Sequence, residues 1–222
     1  MKTEELEARV RTLEDTITKL EARLTVQEDI EAVKKLQRAY SFYLEHWQED
    51  ELIALFSKRD DVTLELNDGG EFSGPDAVYN MFHFEDHYPA FDGAKVAPPH
   101  YLHVMMSLCG IVDIAPDGMT AKGRWYSSFT GAMPRAGAMR ALIGRGIWEN
   151  EYIKEDGVWK FWKLFFVNII SSPIEDGWVK TPFLNNPPAN NKPPKTVRNK
   201  DWKPYPSGYI FPYHFKNPVS GK

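Results

Sequence analysis

The chain has 222 residues, of which 42% are hydrophobic and 14% aromatic, and its formal net charge is −4. That length fits one good-sized domain with extensions or two small ones, and the aromatic content is too high for a disordered chain. Charges of both signs are mixed with no basic stripe, and no run reaches the ~18 apolar residues of a membrane helix, so neither nucleic acid nor a bilayer is an expected partner.

The opening, MKTEELEARV, has no apolar segment of the kind a signal peptide needs. The single cysteine, Cys109, rules out an internal disulfide and a paired-cysteine metal site, and a reducing cytoplasm is the expected setting. Leu6, Val10, Leu13, Ile17, Leu20 and Leu24 then alternate in steps of four and three, a heptad seam under three heptads long. Two readings are open for residues 1–24: an amphipathic helix lying on its own domain, or a helix pairing with another copy in a dimer or trimer. The strict period favours the second.

Thr25 and Glu28 have the spacing of a capping box, which predicts a fresh helix from there to about Trp47. Ile30, Val33, Leu36, Tyr40, Tyr43 and Trp47 share one face of it. A short helix is expected over 50–56, a strand over 62–66 and a turn at 67–70. A helix follows from Gly74-Pro75 to about Phe84, and 83–99 reads as loop. Four strands are expected at about 101–115, 120–130, 146–154 and 158–170, with a small-residue loop over 131–139. Their turns, ProAspGly at 116–118 and GluAspGly at 155–157, predict an antiparallel meander, so the class is α+β. From Thr181 the chain holds nine prolines together with Phe183, Trp202, Tyr205, Tyr209, Phe211, Tyr213 and Phe215. That many large rings need a surface to cover. Residues 181–222 therefore read as an extended strap on the domain or on a neighbouring subunit.

The stretch AYSFYLEHW, residues 39–47, carries more aromatic and ionisable groups than a plain core helix. Tyr40, Tyr43 and Trp47 can line a pocket, and a phenol with an ordinary pKa near ~10 is a proton donor before it is a base. Glu45 and His46 end the same helix. In PHYLHVMMS, His100 and His103 are three apart, so a strand puts them on opposite faces and at most one enters the pocket. Histidine titrates near neutrality, which suits a general acid or base. His83 and His87 flank three residues of a lid-like loop, with no evident third metal ligand. Arg124 in mid-strand needs a partner: an oxyanion of the substrate, or Glu149 or Glu151 on the next strand. Tyr126 and Phe165 offer aromatic walls, and Asn168 could orient a ligand hydroxyl.

Several stretches resemble a known family: DIEAVKKLQRAY, ELIALF, FSGPDAV, DGMTAKGRW and ENEYIKEDGVWK. They resemble the SnoaL-like domain of the nuclear-transport-factor-two-like superfamily over about residues 26–180, and PYHFKNPVSG resembles one subgroup. The resemblance implies a cone, in which a curved antiparallel sheet wraps a long helix, with the catalytic domain at 25–180. It also implies cofactor-free chemistry, with no metal. Many relatives have an aspartate five residues after the helix tyrosine; here Glu45 stands there, one methylene longer. His103 resembles the family's strand histidine. The nearest functional resemblance is to diarylpropane lyases of lignin degradation, which release formaldehyde from aromatic dimers. The expectation is therefore a lyase acting on a phenolic aromatic substrate. Tyr40, Tyr43, Glu45, His103 and Arg124 are its catalytic candidates. His46, Trp47, His100, Tyr126, Phe165 and Asn168 are its substrate-binding candidates. A dehydratase, isomerase or cyclase of a polycyclic substrate is the alternative, as is a non-catalytic accessory subunit.

Overall fold

Between Thr3 and Glu45 the sequence contains neither glycine nor proline, and the chain forms one unbroken helix of 43 residues, α1 (Thr3–Glu45). The computed structural model describes residues 3–66, 70–83, 94–135, 137–184 and 204–222. The break expected at Thr25 does not occur. Its hydroxyl turns back to donate to the Glu21 carbonyl at 3.0 Å, four residues earlier, and caps nothing. The helix nonetheless has two halves. Residues 3–28 are exposed throughout, whereas Asp29, Val33, Leu36, Gln37, Tyr40 and Ser41 are buried. Asp29 marks the boundary, where its carboxylate accepts from Lys154 Nζ at 2.7 Å and Trp159 Nε1 at 2.8 Å.

Two short helices follow α1 on either side of a small hairpin: α2 (Glu49–Ala54), β1 (Thr63–Leu66), β2 (Gly70–Ser73) and α3 (Ala77–Phe82). Four long strands come next: β3 (Leu102–Ile114), β4 (Thr120–Arg135), β5 (Ala138–Glu155) and β6 (Val158–Pro173). A last turn of helix, α4 (Gly177–Lys180), follows β6. The six strands form one sheet in the order β2-β1-β6-β5-β4-β3. The expected antiparallel meander is present over β3 to β6, and β1 joins it parallel to β6. Two features differ from the sequence reading. β2 is not expected from the sequence: only Gly70 falls in the turn at 67–70, and 71–73 belong to no expected element. The small-residue loop over 131–139 is instead the end of one long hairpin, in which β4 and β5 stay paired out to Arg135 and Ala138. Small side chains do not disrupt a ladder whose neighbours fix its register. No helix among the described residues is long and apolar enough to cross a membrane.

The curved sheet separates two cores. On the face towards α1, Trp125, Trp148, Tyr152, Phe161 and Leu164 pack against Val33, Leu36 and Tyr40, with Leu52, Phe56, Met81 and Phe82 from α2 and α3 and their flanks. A bulge between Leu108 and Ile111 in β3 serves this face. The Trp125 ring lies against the Gly110 backbone so closely that a Cβ there would sit 2.0 Å from it. On the outer face, Ile147, Val167 and Phe211 form a smaller cluster with Phe165, Ile169 and Tyr209. Phe211 and Tyr209 belong to the C-terminal strap, which therefore covers the outer face of the chain's own sheet. The strap's residues 185–203, Trp202 included, lie outside the described residues.

Candidate functional site

AYSFYLEHW closes α1 on the inner face of the sheet. The helix ends in a Schellman-type turn, with Gln48 N donating to Tyr43 O at 3.0 Å and Trp47 N to Leu44 O at 3.4 Å. The left-handed position of that turn is usually glycine. Here it is Trp47, with φ 55°, a conformation a bulky residue adopts only where its surroundings hold it. Its indole is buried and meets Tyr101 edge-on, ring centres 4.9 Å apart. The strained turn thus aims a large ring at the start of β3.

Inward positions of β3 and β4 continue this wall. His103 lies between Tyr101 (6.2 Å between ring centres) and Phe129 (4.9 Å), and its Nδ1 is buried. His100 precedes the strand, exposed, with φ 73°. Of the two histidines only His103 lies in β3 and enters the inner side; the expected strand alternation does not govern His100, which precedes the strand. Further in, Tyr40 is surrounded by Phe56, Phe82, Trp148 and Phe161, with ring centres 5.4–6.3 Å away. Burial raises its pKa well above the ordinary phenol value, so Tyr40 stays a neutral phenol. Tyr43 is half-buried against the same core. Glu45, the last residue of α1, is half-buried, and His46 is exposed.

Three further polar features stand on this face, of which the sequence suggested only Trp148, and that as an aromatic wall. Ser127 Oγ and Trp148 Nε1 are buried and have no hydrogen-bond partner among the described residues. Buried donors of that kind call for an explanation, and a bound polar group is one. The third group is a closed network. Gln37 Oε1 accepts from Tyr152 OH at 2.7 Å and from Asn150 Nδ2 at 3.0 Å, while Gln37 Nε2 donates to Ser107 Oγ at 3.0 Å. Trp125 Nε1 donates to Tyr152 OH at 3.0 Å, and the Phe165 amide to Asn150 Oδ1 at 3.0 Å. Burial raises the pKa of Tyr152 as it does that of Tyr40. Every member is satisfied, so this network locks α1 to the sheet. A glutamine among apolar helix positions and an asparagine in mid-strand were its only signals in the sequence.

Arg124, Tyr126 and Phe165 do not share this space. They alternate with the inward residues and lie on the outer face. Arg124 Nη1 donates to Glu149 Oε2 and to Pro212 O, both at 2.8 Å, and Nη2 to Phe211 O at 3.2 Å. Its guanidinium lies 4.4 Å from the centre of the Tyr213 ring. His214 Nδ1 bonds Glu149 Oε1, and His214 Nε2 is 3.3 Å from Asp113 Oδ2. Of the partners the sequence left open for Arg124, the structure thus supplies Glu149, together with the strap. Tyr126 is exposed and Phe165 lies under Phe211. Asn168 borders a small cavity between β6 and the strap residues Tyr205–Tyr209. Among the loop histidines, His83 Nδ1 pairs with Glu49 Oε1 at 2.9 Å, and His87 lies outside the described residues. Among the described residues no group of three His, Cys, Asp or Glu side chains is placed to hold a metal.

A family model described as a SnoaL-like domain matches residues 25–164. No curated protein matches the chain. Among solved structures, hexachlorocyclohexane dehydrochlorinase LinA-type3 from Novosphingobium barchaimii aligns with a TM-score of 0.55 at 16% identity, covering 68% of this chain and 94% of that one. A LinA type 2 structure aligns with a TM-score of 0.54 at 18% identity, covering 68% and 93%. A Novosphingobium aromaticivorans protein described as a candidate scytalone dehydratase aligns with a TM-score of 0.52 at 17% identity, covering 67% and 89%. At these identities the likeness is one of fold.

Proposed function

Because the chain belongs to the SnoaL-like family, we propose that the inner side of its sheet is a cofactor-independent acid–base site that eliminates a small group from an aromatic substrate. The observation that carries this reading is His103, a titratable ring turned to the inner face between Tyr101 and Phe129 with Nδ1 buried. Aromatic walls suit an aromatic ligand, and Ser127 and Trp148 supply donors without a partner among the described residues. Solved neighbours named as a dehydrochlorinase and a candidate dehydratase, both names for eliminations, support the reaction class.

The narrower substrate we propose is a phenolic diarylpropane diol. With the phenol held as phenolate, an acid protonates the benzylic hydroxyl, which leaves as water and gives a quinone methide. A base then takes the proton of the primary hydroxyl. The carbon–carbon bond breaks to release formaldehyde, and its electron pair restores the aromatic ring, leaving a stilbene. Diol becomes stilbene, water and formaldehyde, with no oxidant required. His103 is the acid or base. Tyr40 is held as a neutral phenol, and Tyr43 and Glu45 flank it on the closing turns of α1. Arg124, committed to the strap on the other face, has no part in this scheme.

The test is to mix chelator-treated protein with a panel of such diols and follow near-ultraviolet absorbance and formaldehyde. A stilbene band with matching formaldehyde is expected, and His103→Ala should slow it at least ~100-fold with an unchanged circular dichroism spectrum. An unchanged rate would remove His103 from the mechanism. Ligand binding without turnover would move the reading to elimination from another substrate. Neither binding nor turnover would favour an accessory protein whose inner side is filled by its own rings.

A further inference from the structure

The first half of α1 carries an apolar stripe that nothing among the described residues covers. Leu6, Val10, Leu13, Ile17, Leu20 and Leu24 are between 45% and 60% exposed. At ~1.5 Å per residue, residues 3–26 extend about 36 Å. An isolated helix of that length is marginal in water, because helices in proteins draw most of their stability from packing. Val10, Ile17 and Leu24 fall at heptad position a, and Leu6, Leu13 and Leu20 at d.

The flanking charges choose the occupant. Position e holds Glu7, Glu14, Glu21 and Glu28, and position g holds Arg9, Thr16 and Arg23. In a parallel pair each g residue faces the e residue five places on in the other helix. Arg9 then meets Glu14, Thr16 meets Glu21 and Arg23 meets Glu28, with no like-charge contact. In an antiparallel pair e faces e and g faces g, which sets glutamate against glutamate and arginine against arginine. The helix is therefore complementary to itself in one orientation only.

We propose that residues 3–26 form a parallel, in-register coiled coil with the same segment of a second copy of this chain. β-Branched Val10 and Ile17 at a, with leucine at d, favour two strands. Because α1 runs without a break into Asp29 on the sheet, parallel pairing places both domains at the same end of the coil.

The experiment uses the full chain with Cys109→Ser, so that added cysteines report alone. Leu6→Cys at d should give a disulfide-linked pair under mild oxidation, because parallel register sets the two residues side by side. Ala8→Cys, on the outer face of the coil, should not. Light scattering should give the mass of two chains; a mass of three with the same crosslink keeps the parallel register and changes only the strand number. Arg9→Glu with Arg23→Glu should weaken association at low salt by about tenfold or more, and adding Glu14→Lys with Glu28→Lys should restore it. A monomer at ~100 μM overturns the proposal, as does an oligomer in which Leu6→Cys fails to crosslink.

Discussion

Trp125 and Arg124 are adjacent in β4 and belong to two different environments. Around Trp125 the inner face joins neutral amides, hydroxyls and indoles in the Gln37–Asn150–Tyr152 network, with the Asp29–Lys154 ion pair at its margin, where the buried half of α1 begins. The outer face, where Arg124 points, uses charge: a guanidinium, two carboxylates and an imidazole fasten the strap. The contrast follows solvent access. A neutral hydrogen bond survives full burial at little cost, whereas an ion pair keeps its value best where water still reaches one side, as at Asp113. One face is built to be dry, and the other to hold a segment that could be released.

Three variations test that contrast, from the largest effect down. Phe161 lies at the centre of the inner core, in contact with Tyr40, Phe56 and Tyr152. Phe161→Ala should cost about 3–5 kcal/mol in urea unfolding. Arg124→Ala removes the ion pair to Glu149 and both strap carbonyl contacts. It should cost about 2–3 kcal/mol, with hydrogen exchange rising across 204–222 before the inner core opens. Arg124→Lys should not recover the difference, because an ammonium cannot span the same three acceptors as a fork. The third variation is alkaline pH. Tyr40 and Tyr152 have folded-state pKa values raised by burial above the ordinary value of 10.0. Their contribution is fully present below that value and is lost as pH rises through the folded values. Stability should fall above pH ~10 by about 1.4 kcal/mol per pH unit for each tyrosine. Tyr40→Phe should reduce that slope, and an unchanged slope would show that Tyr40 is not buried in solution.

The elements were legible where local chemistry is strong. The hairpin turns at 116–118 and 155–157, the period of the α1 face and the order of helices before sheet were all readable from spacing. Thr25 misled, because Thr-x-x-Glu is a cap only if the preceding turn ends, and nothing between Leu24 and Thr25 ends it. The loop read at 131–139 came from small residues whose pairing depends on β5, a partner that composition does not reveal. At the site, strand alternation did not govern His100 and His103, because His100 lies ahead of β3. The orphan donors of Ser127 and Trp148 were illegible, because a hydroxyl or indole is unpartnered only with respect to its neighbours in space.

By itself the sequence determined the α+β class, the meander and the heptad seam, because each is written in short-range periodicity or turn chemistry. Only the tertiary structure decided which face each strand residue serves. Arg124 and Trp125, or Phe165 and Phe166, are equally plausible pocket residues in a list. The alternation of a strand fixes that they point apart but not which one points in. That choice belongs to α1, which packs on one side of the sheet, and to the strap, which packs on the other.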